Sequence, residues 1–236
     1  MKLEICANSY ASAINAEQAG AHRIELCQEL QIGGITPSFG LIKQVVNALS
    51  IPVYVLIRPR SGHFVYSEEE LKTMLYDIEA CRDLGVKGIV SGALLSNNEI
   101  DKNSSKRLLS SSRGMDFTFH RAFDAVNNQL NGLDELKTMG IKRVLTSGGA
   151  SRALMGLENL KLLLNHSESK ITIMPGSGIN ATNVGQFKKA GFTEIHASAS
   201  KVINPLENEN DLFSSNITVS SISNIKALLQ NISENE

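Results

Sequence analysis

Apolar positions along the chain fall into two alternating rhythms. Short apolar or β-branched runs predict strands over 2–6, 22–27, 52–57, 88–91, 115–120, 142–146, 170–174 and 193–198. Between them, apolar residues return every three or four positions. That spacing predicts helices over 9–19, 37–49, 67–84, 102–112, 129–139, 151–165, 181–190 and 220–233. Four helix-to-strand junctions share one chemistry: Ala19-Gly20-Ala21, Leu84-Gly85-Val86, Met139-Gly140-Ile141 and Ala190-Gly191-Phe192. A glycine there can take the left-handed conformation that ends a helix, and the β-branched run beyond it is extended. Helix starts also have mechanisms. Thr36-Pro37 offers a cap followed by a proline in the first turn, and Ser67 with Glu70 has the spacing of a capping box. Behind Ser67, the residues Leu71, Met74, Leu75, Ile78, Cys81 and Leu84 make one helical stripe.

Eight alternations predict an α/β fold, a (β/α)8 TIM barrel formed as a single domain over 1–236. An open doubly wound sheet is the alternative, weakened because no Gly-x-Gly-x-x-Gly follows the first strand. The segment 199–219, rich in Asn, Ser and Glu, reads as a long polar loop before the last helix. Composition narrows the setting. The chain has 236 residues, a formal net charge of −1 and no Trp. With no basic run there is no electrostatic footprint for nucleic acid. No apolar stretch is long enough to cross a membrane, and the charged start Met1-Lys2-Leu3-Glu4 does not read as a signal peptide. Three widely spaced cysteines suit a reducing cytoplasm, the expected location.

Strands of a parallel barrel are covered on both faces, so polar residues inside them are informative. Side chains alternate, which places Glu4 with Cys6, Glu25 with Cys27, and Glu194 with His196 and Ser198 on lumen faces. Glu4 and Glu194, low in their strands, are equally well read as a buried ionic network or as site residues. Glu25 and His196 lie near the carboxyl ends, where barrel active sites assemble, and are candidate catalytic groups.

Four further clusters follow strand ends. Arg58-Pro59-Arg60 makes a cationic rim, with Arg58 and Arg60 as anion ligands. In His120-Arg121-Ala122-Phe123-Asp124, His120 is a candidate general acid or base, Arg121 an anion clamp and Asp124 an orienter; the structural reading pairs Arg121 with Asp124 as a loop staple. The turns Thr146-Ser147-Gly148-Gly149 and Pro175-Gly176-Ser177-Gly178 offer Ser147, Gly148, Gly176 and Gly178 as an anion cradle, or as tight turns only. Cys6 and Cys27 end consecutive strands with matching parity. Their sulfurs suit a soft ion such as Cu(I) or Zn, although on spacing alone two buried thiols are the better reading. Cys81 belongs to a helix stripe. No Lys sits in a strand at a Schiff-base position.

The stretches Leu3-Glu4-Ile5-Cys6, Arg23-Ile24-Glu25-Leu26-Cys27, Gly33-Gly34-Ile35-Thr36-Pro37-Ser38, Ile57-Arg58-Pro59-Arg60, Phe117 to Asp124 and Leu145-Thr146-Ser147-Gly148 resemble the CutC copper homeostasis family. The likeness runs from about residue 2 to 200 and fades in the Asn- and Ser-rich tail. It implies a cytoplasmic barrel assigned to copper homeostasis, with Cys6 and Cys27 as the Cu(I) ligands. The residues by themselves make a chemically richer case for an enzyme acting on a small anionic or phosphorylated metabolite, of unspecified reaction. A purely structural or interaction protein is disfavoured by the inward charges. The expected partners are a metal ion or small molecule and a second copy in a homodimer, with neither nucleic acid nor membrane.

Overall fold

A computed structural model describes residues 1–204 and 216–233. Eight parallel strands line the barrel: β1 (Lys2–Ala7), β2 (Arg23–Leu26), β3 (Val53–Leu56), β4 (Gly88–Ser91), β5 (Asp116–Phe119), β6 (Arg143–Thr146), β7 (Thr172–Pro175) and β8 (Glu194–Ala197). They are joined in the order β7-β6-β5-β4-β3-β2-β1-β8, and the two ends of that order lie side by side. The chain is therefore a (β/α)8 barrel, closed but for a ladder between β7 and β8. Seven helices alternate with the strands: α1 (Tyr10–Ala19), α2 (Phe39–Ala48), α3 (Glu68–Asp83), α4 (Lys102–Ser111), α5 (Gln129–Met139), α6 (Leu157–His166) and α7 (Val184–Lys189); α8 (Ile222–Ser233) completes the ring. None of the described helices is long and apolar enough to cross a membrane.

The outward strand faces meet the helices in one continuous core. Leu3, Ile5, Ile24, Leu26, Val53, Val55, Ile89, Phe117, Phe119, Val144, Ile173 and Ile195 are buried there against residues such as Ala13, Ala16, Val45, Met74, Ile78 and Leu136. Removing this apolar surface from water is the main stabilising term. Cys81 is fully buried in it.

Local signals account for most boundaries. Ser9 accepts from the Ser12 amide at 3.1 Å and starts α1, and Gly20 (φ +92°) ends it. Ser67 and Glu70 form both bonds of the capping box. Some starts differ from expectation. α2 is capped by Ser38, because the Thr36 hydroxyl is drawn to the Arg58 backbone, donating to its carbonyl (3.2 Å) and accepting from its amide (2.9 Å). α6 begins at Leu157 and α7 at Val184, since the residues before them are shaped into turns.

The segment 199–219 is more than a loop. Its ends form β9 (Ser200–Asn204) and β10 (Ile217–Ser220), an antiparallel pair. The pair is tied to the start of α1: Ser220 donates its amide to Ser12 Oγ (3.0 Å), and Asn8 Nδ2 donates to the Thr218 carbonyl (3.2 Å). Residues 205–215, the rest of the expected loop, lie outside the described residues.

Candidate functional site

The inward faces stack in storeys from the bottom of the lumen to its mouth. Register sets the lowest: Glu4 lies opposite Arg23 on one side and His196 on the other. Arg23 pairs with Glu4 and with Glu194 (2.5 Å), and Arg143 pairs with Glu194 (2.8 Å). The Tyr54 ring lies beneath both guanidiniums, 5.0 Å from Arg23 and 5.5 Å from Arg143, and its hydroxyl donates to Asp116. Two arginines face two carboxylates, so this storey is charge-compensated. Burial pushes the Glu4 carboxyl up, but Arg23 and His196 outweigh it and hold it at about 2. Glu4 and Glu194 thus belong to the buried network. Arg23 shares the parity of Glu25, a signal the sequence carried, and Arg143 likewise faces the lumen from β6.

Above it stand Glu25, His196, Cys6 and Cys27. His196 Nδ1 lies 2.8 Å from Glu4 Oε1, and its Nε2 lies 3.4 Å from Glu25 Oε2. The ring bridges two buried carboxyls. Burial lifts Glu25 to about 8, with the Glu4 charge adding to it and His196 pulling the other way. Burial lowers His196, but the Glu4 bond and the Glu25 and Glu4 charges leave it raised. A carboxyl above its usual range beside an imidazole above its own is an arrangement that holds and passes a proton.

Cys6 Sγ and Cys27 Sγ are 3.5 Å apart, both are free thiols, and an apolar collar of Tyr54, Leu56 and Val90 surrounds them. The hydrogen bond to Cys27, burial and the nearby Glu25 and Glu4 charges push the Cys6 thiol up. One ligand atom each from Cys6, Glu25 and His196 lies within 4.8 Å of the others, the one such group among the described residues.

These residues floor a cavity of about 280 Å³ at the carboxyl end of the barrel. Its wall includes Arg58, Phe64, His120, Arg121, Ser177 and Gly178, with Leu30, Leu56, Leu145 and Ile179 between them. Phe64 sits between two of the polar groups, its ring 4.9 Å from the Arg58 guanidinium and 4.9 Å from the His120 ring centroid. No sequence pattern pointed to Phe64, because the loop carrying it has no periodicity to read.

His120 is 4 % exposed. Its Nδ1 accepts the Ala122 amide at 3.3 Å, and its Nε2 has no partner. Burial and the Arg58 charge hold its pKa at about 3. The ring is thus neutral at physiological pH with its proton on Nε2, which makes that nitrogen a hydrogen-bond donor. Arg58 is also buried. It gives Nη1 to the Ile32 and Gly34 carbonyls (3.2 and 2.9 Å) and Nη2 to Gly62 (2.8 Å). No carboxylate pairs with it among the described residues.

Other expected site residues are engaged elsewhere and do not line the cavity. Arg60 pairs with Glu70, donates to the Ser61, His63 and Val65 carbonyls and ties the loop after β3 to the start of α3. Asp124 accepts from Arg121 Nε (2.8 Å), Thr146 Oγ1 (2.5 Å) and the Ser147 and Gly149 amides (2.9 and 3.1 Å). It is a staple between two loops, and Ser147 is part of that staple. The glycine turns are likewise not a bare anion cradle. The Gly148 amide is given to Thr146 Oγ1 (2.9 Å), and the Gly176 amide to the Thr146 carbonyl (3.0 Å). Gly176 is required by space instead, since a Cβ there would come within 2.5 Å of Leu145. Of the four residues proposed for that cradle, Gly178 alone reaches the cavity.

Known proteins resemble this chain in sequence and in fold. A CutC family protein of Photorhabdus laumondii is 45% identical over 202 residues, covering 86% of this chain and 81% of its own. The human protein described as a copper homeostasis protein cutC homolog is 44% identical over 198 residues, covering 84% of this chain and 72% of its own. The crystal structure of a CutC protein from Streptococcus agalactiae superposes with a TM-score of 0.79 at 33% identity, covering 84% of this chain and 98% of that one. Residues 1–201 match the CutC family, and the chain belongs to it.

Proposed function

We propose that the chain handles Cu(I) in copper homeostasis, taking the ion between Cys6 and Cys27 at the floor of the mouth cavity. The observation that carries this reading is the pair of free, cavity-lining sulfurs 3.5 Å apart. Metal–sulfur bonds of about 2.3 Å let two sulfurs at that separation meet one ion. Thiolates select soft ions, and the imidazole of His196 and the Glu25 carboxyl stand beside them as further donors. The negative surroundings that favour a proton on Cys6 also favour a cation in its place, so loading releases protons. The reducing cytoplasm, where such thiols persist, is the compartment this reading requires.

The test is a Cu(I) titration against a competing chelator, with wild type and a Cys6→Ser/Cys27→Ser variant side by side. The variant is expected to lose the competition at chelator levels where wild type retains copper. Equal affinity in the two proteins refutes the reading.

A further inference from the structure

We propose that the mouth cavity also binds a small organic anion, its carboxylate or phosphate oxygens held by His120 Nε2, Arg121 and the buried Arg58, and its apolar body against Leu56, Phe64 and Leu145. This goes beyond copper handling and does not depend on it.

The first support is the buried Nε2 of His120, a hydrogen-bond donor with no partner in the wall of a cavity. A hydrogen bond left unmade at a buried donor is destabilising. A fold that keeps one in a cavity wall is arranged for an acceptor that arrives there. The second is charge. Arg58 is a buried cation with no carboxylate partner among the described residues, and a desolvated charge calls for a counter-ion. Tyr66, whose buried hydroxyl Arg58 attracts, supplies a dipole but no charge. The third is Arg121, which lines the same cavity. Its Nε and Nη2 are spent on Asp124 and Ser147 (2.8 and 3.0 Å), which fixes the guanidinium plane and leaves Nη1 without a hydrogen bond among the described residues. A fixed guanidinium edge, a neutral N–H donor and a buried positive charge in one wall match an anionic oxygen. Apolar side chains make up much of the remaining lining, and about 280 Å³ is at the small end of the range of about 300–1,000 Å³ for ligand pockets. The ligand is therefore a compact acid with a short apolar body.

The test uses the full-length, metal-free, 15N-labelled protein and reads the His120 ring nitrogens by NMR at low salt. Inorganic phosphate is titrated through the millimolar range, and in a second arm acetate, propionate and butyrate. The expected result is a saturable shift of the Nε2 signal. A response to phosphate assigns a phosphoryl head group. A response to the carboxylates that tightens with chain length assigns a carboxylate with an apolar body. Arg121→Gln is expected to weaken binding about tenfold or more, the loss of a charge-assisted bond. Arg60→Gln, which removes a nearby cation outside the cavity, is expected to leave it unchanged. No saturable shift with any probe overturns the proposal. So does equal affinity in wild type and Arg121→Gln.

Discussion

His120 shows how burial decides a residue's chemistry. Its position after the fifth strand, flanked by Arg121 and Asp124, has the composition of a general acid–base site. The structure makes it a neutral donor, because desolvation and the Arg58 charge both oppose its protonation. Stability follows from the same shift. The unfolded ring takes up a proton below about pH 6.5 and the folded ring only near 3, so between those values the unfolded state binds more protons. The contribution of His120 is therefore fully present above pH 6.5 and is lost as pH falls toward 3. A His120→Gln variant keeps an oxygen for the Ala122 amide and removes the titration. Glu25 and His196 titrate alike in both proteins, so the difference isolates His120: the denaturant midpoint of the variant is expected to rise relative to that of wild type as pH falls from 7 to 5. Matching slopes in the two proteins would show that His120 is not held neutral.

At the scale of elements, strands and caps were legible because their causes are local. Alternation, a glycine at a helix end and the Ser67–Glu70 box each act over a few residues. The turns before α6 and α7 were not, because their causes lie far along the chain. The turn before α6 is set by Gly148 and Gly156, whose backbones touch across it. A Cβ on Gly156 would come within 2.0 Å of the Ser147 carbonyl oxygen, and one on Gly148, at φ +72°, within 2.6 Å of the Gly156 oxygen. Gly148, which looked like part of an anion cradle, serves this close approach; its amide is taken up by Thr146, and that of its neighbour Gly149 by Asp124. Parity brought Glu25, His196, Cys6 and Cys27 together correctly; it could not say that Arg60 and Asp124 would be engaged by neighbouring loops. The packing makes a paired prediction. Gly156→Ala is expected to destabilise the protein by about 1–3 kcal/mol or more, as overpacking against rigid backbone does. Gly40→Ala, in α2 with open space around it, should stabilise by up to about 1 kcal/mol. Equilibrium urea unfolding reads both, and a Gly156→Ala variant as stable as wild type would refute the account of this turn.

For the whole molecule, the barrel lumen is ordered by charge along its axis. At depth Arg23 and Arg143 compensate Glu4 and Glu194; higher up stand the thiols, Glu25 and His196; the cationic groups gather at the mouth. A site at the carboxyl end of a barrel needs polar side chains in a space that would otherwise be filled by Val, Ile and Leu. The ionic storey beneath it supports that arrangement by fixing Glu4, which in turn holds His196. Its energetics have a sign that mutation can read. Removing one member of a buried ion pair leaves an uncompensated charge and costs about 3–5 kcal/mol, while exposed pairs contribute about 0–1 kcal/mol. Arg23→Met is therefore expected to fall in the first range, and Lys161→Met, which breaks the exposed pair with Glu158 (2.8 Å), in the second. Adding Glu4→Gln to Arg23→Met should recover part of the loss, because the unpaired carboxylate goes with it and Glu194 keeps Arg143. A double-mutant cycle by chemical denaturation measures that coupling. Were the two losses simply additive, Glu4 and Arg23 would be independent packing residues, and the lumen would owe its order to shape rather than to charge.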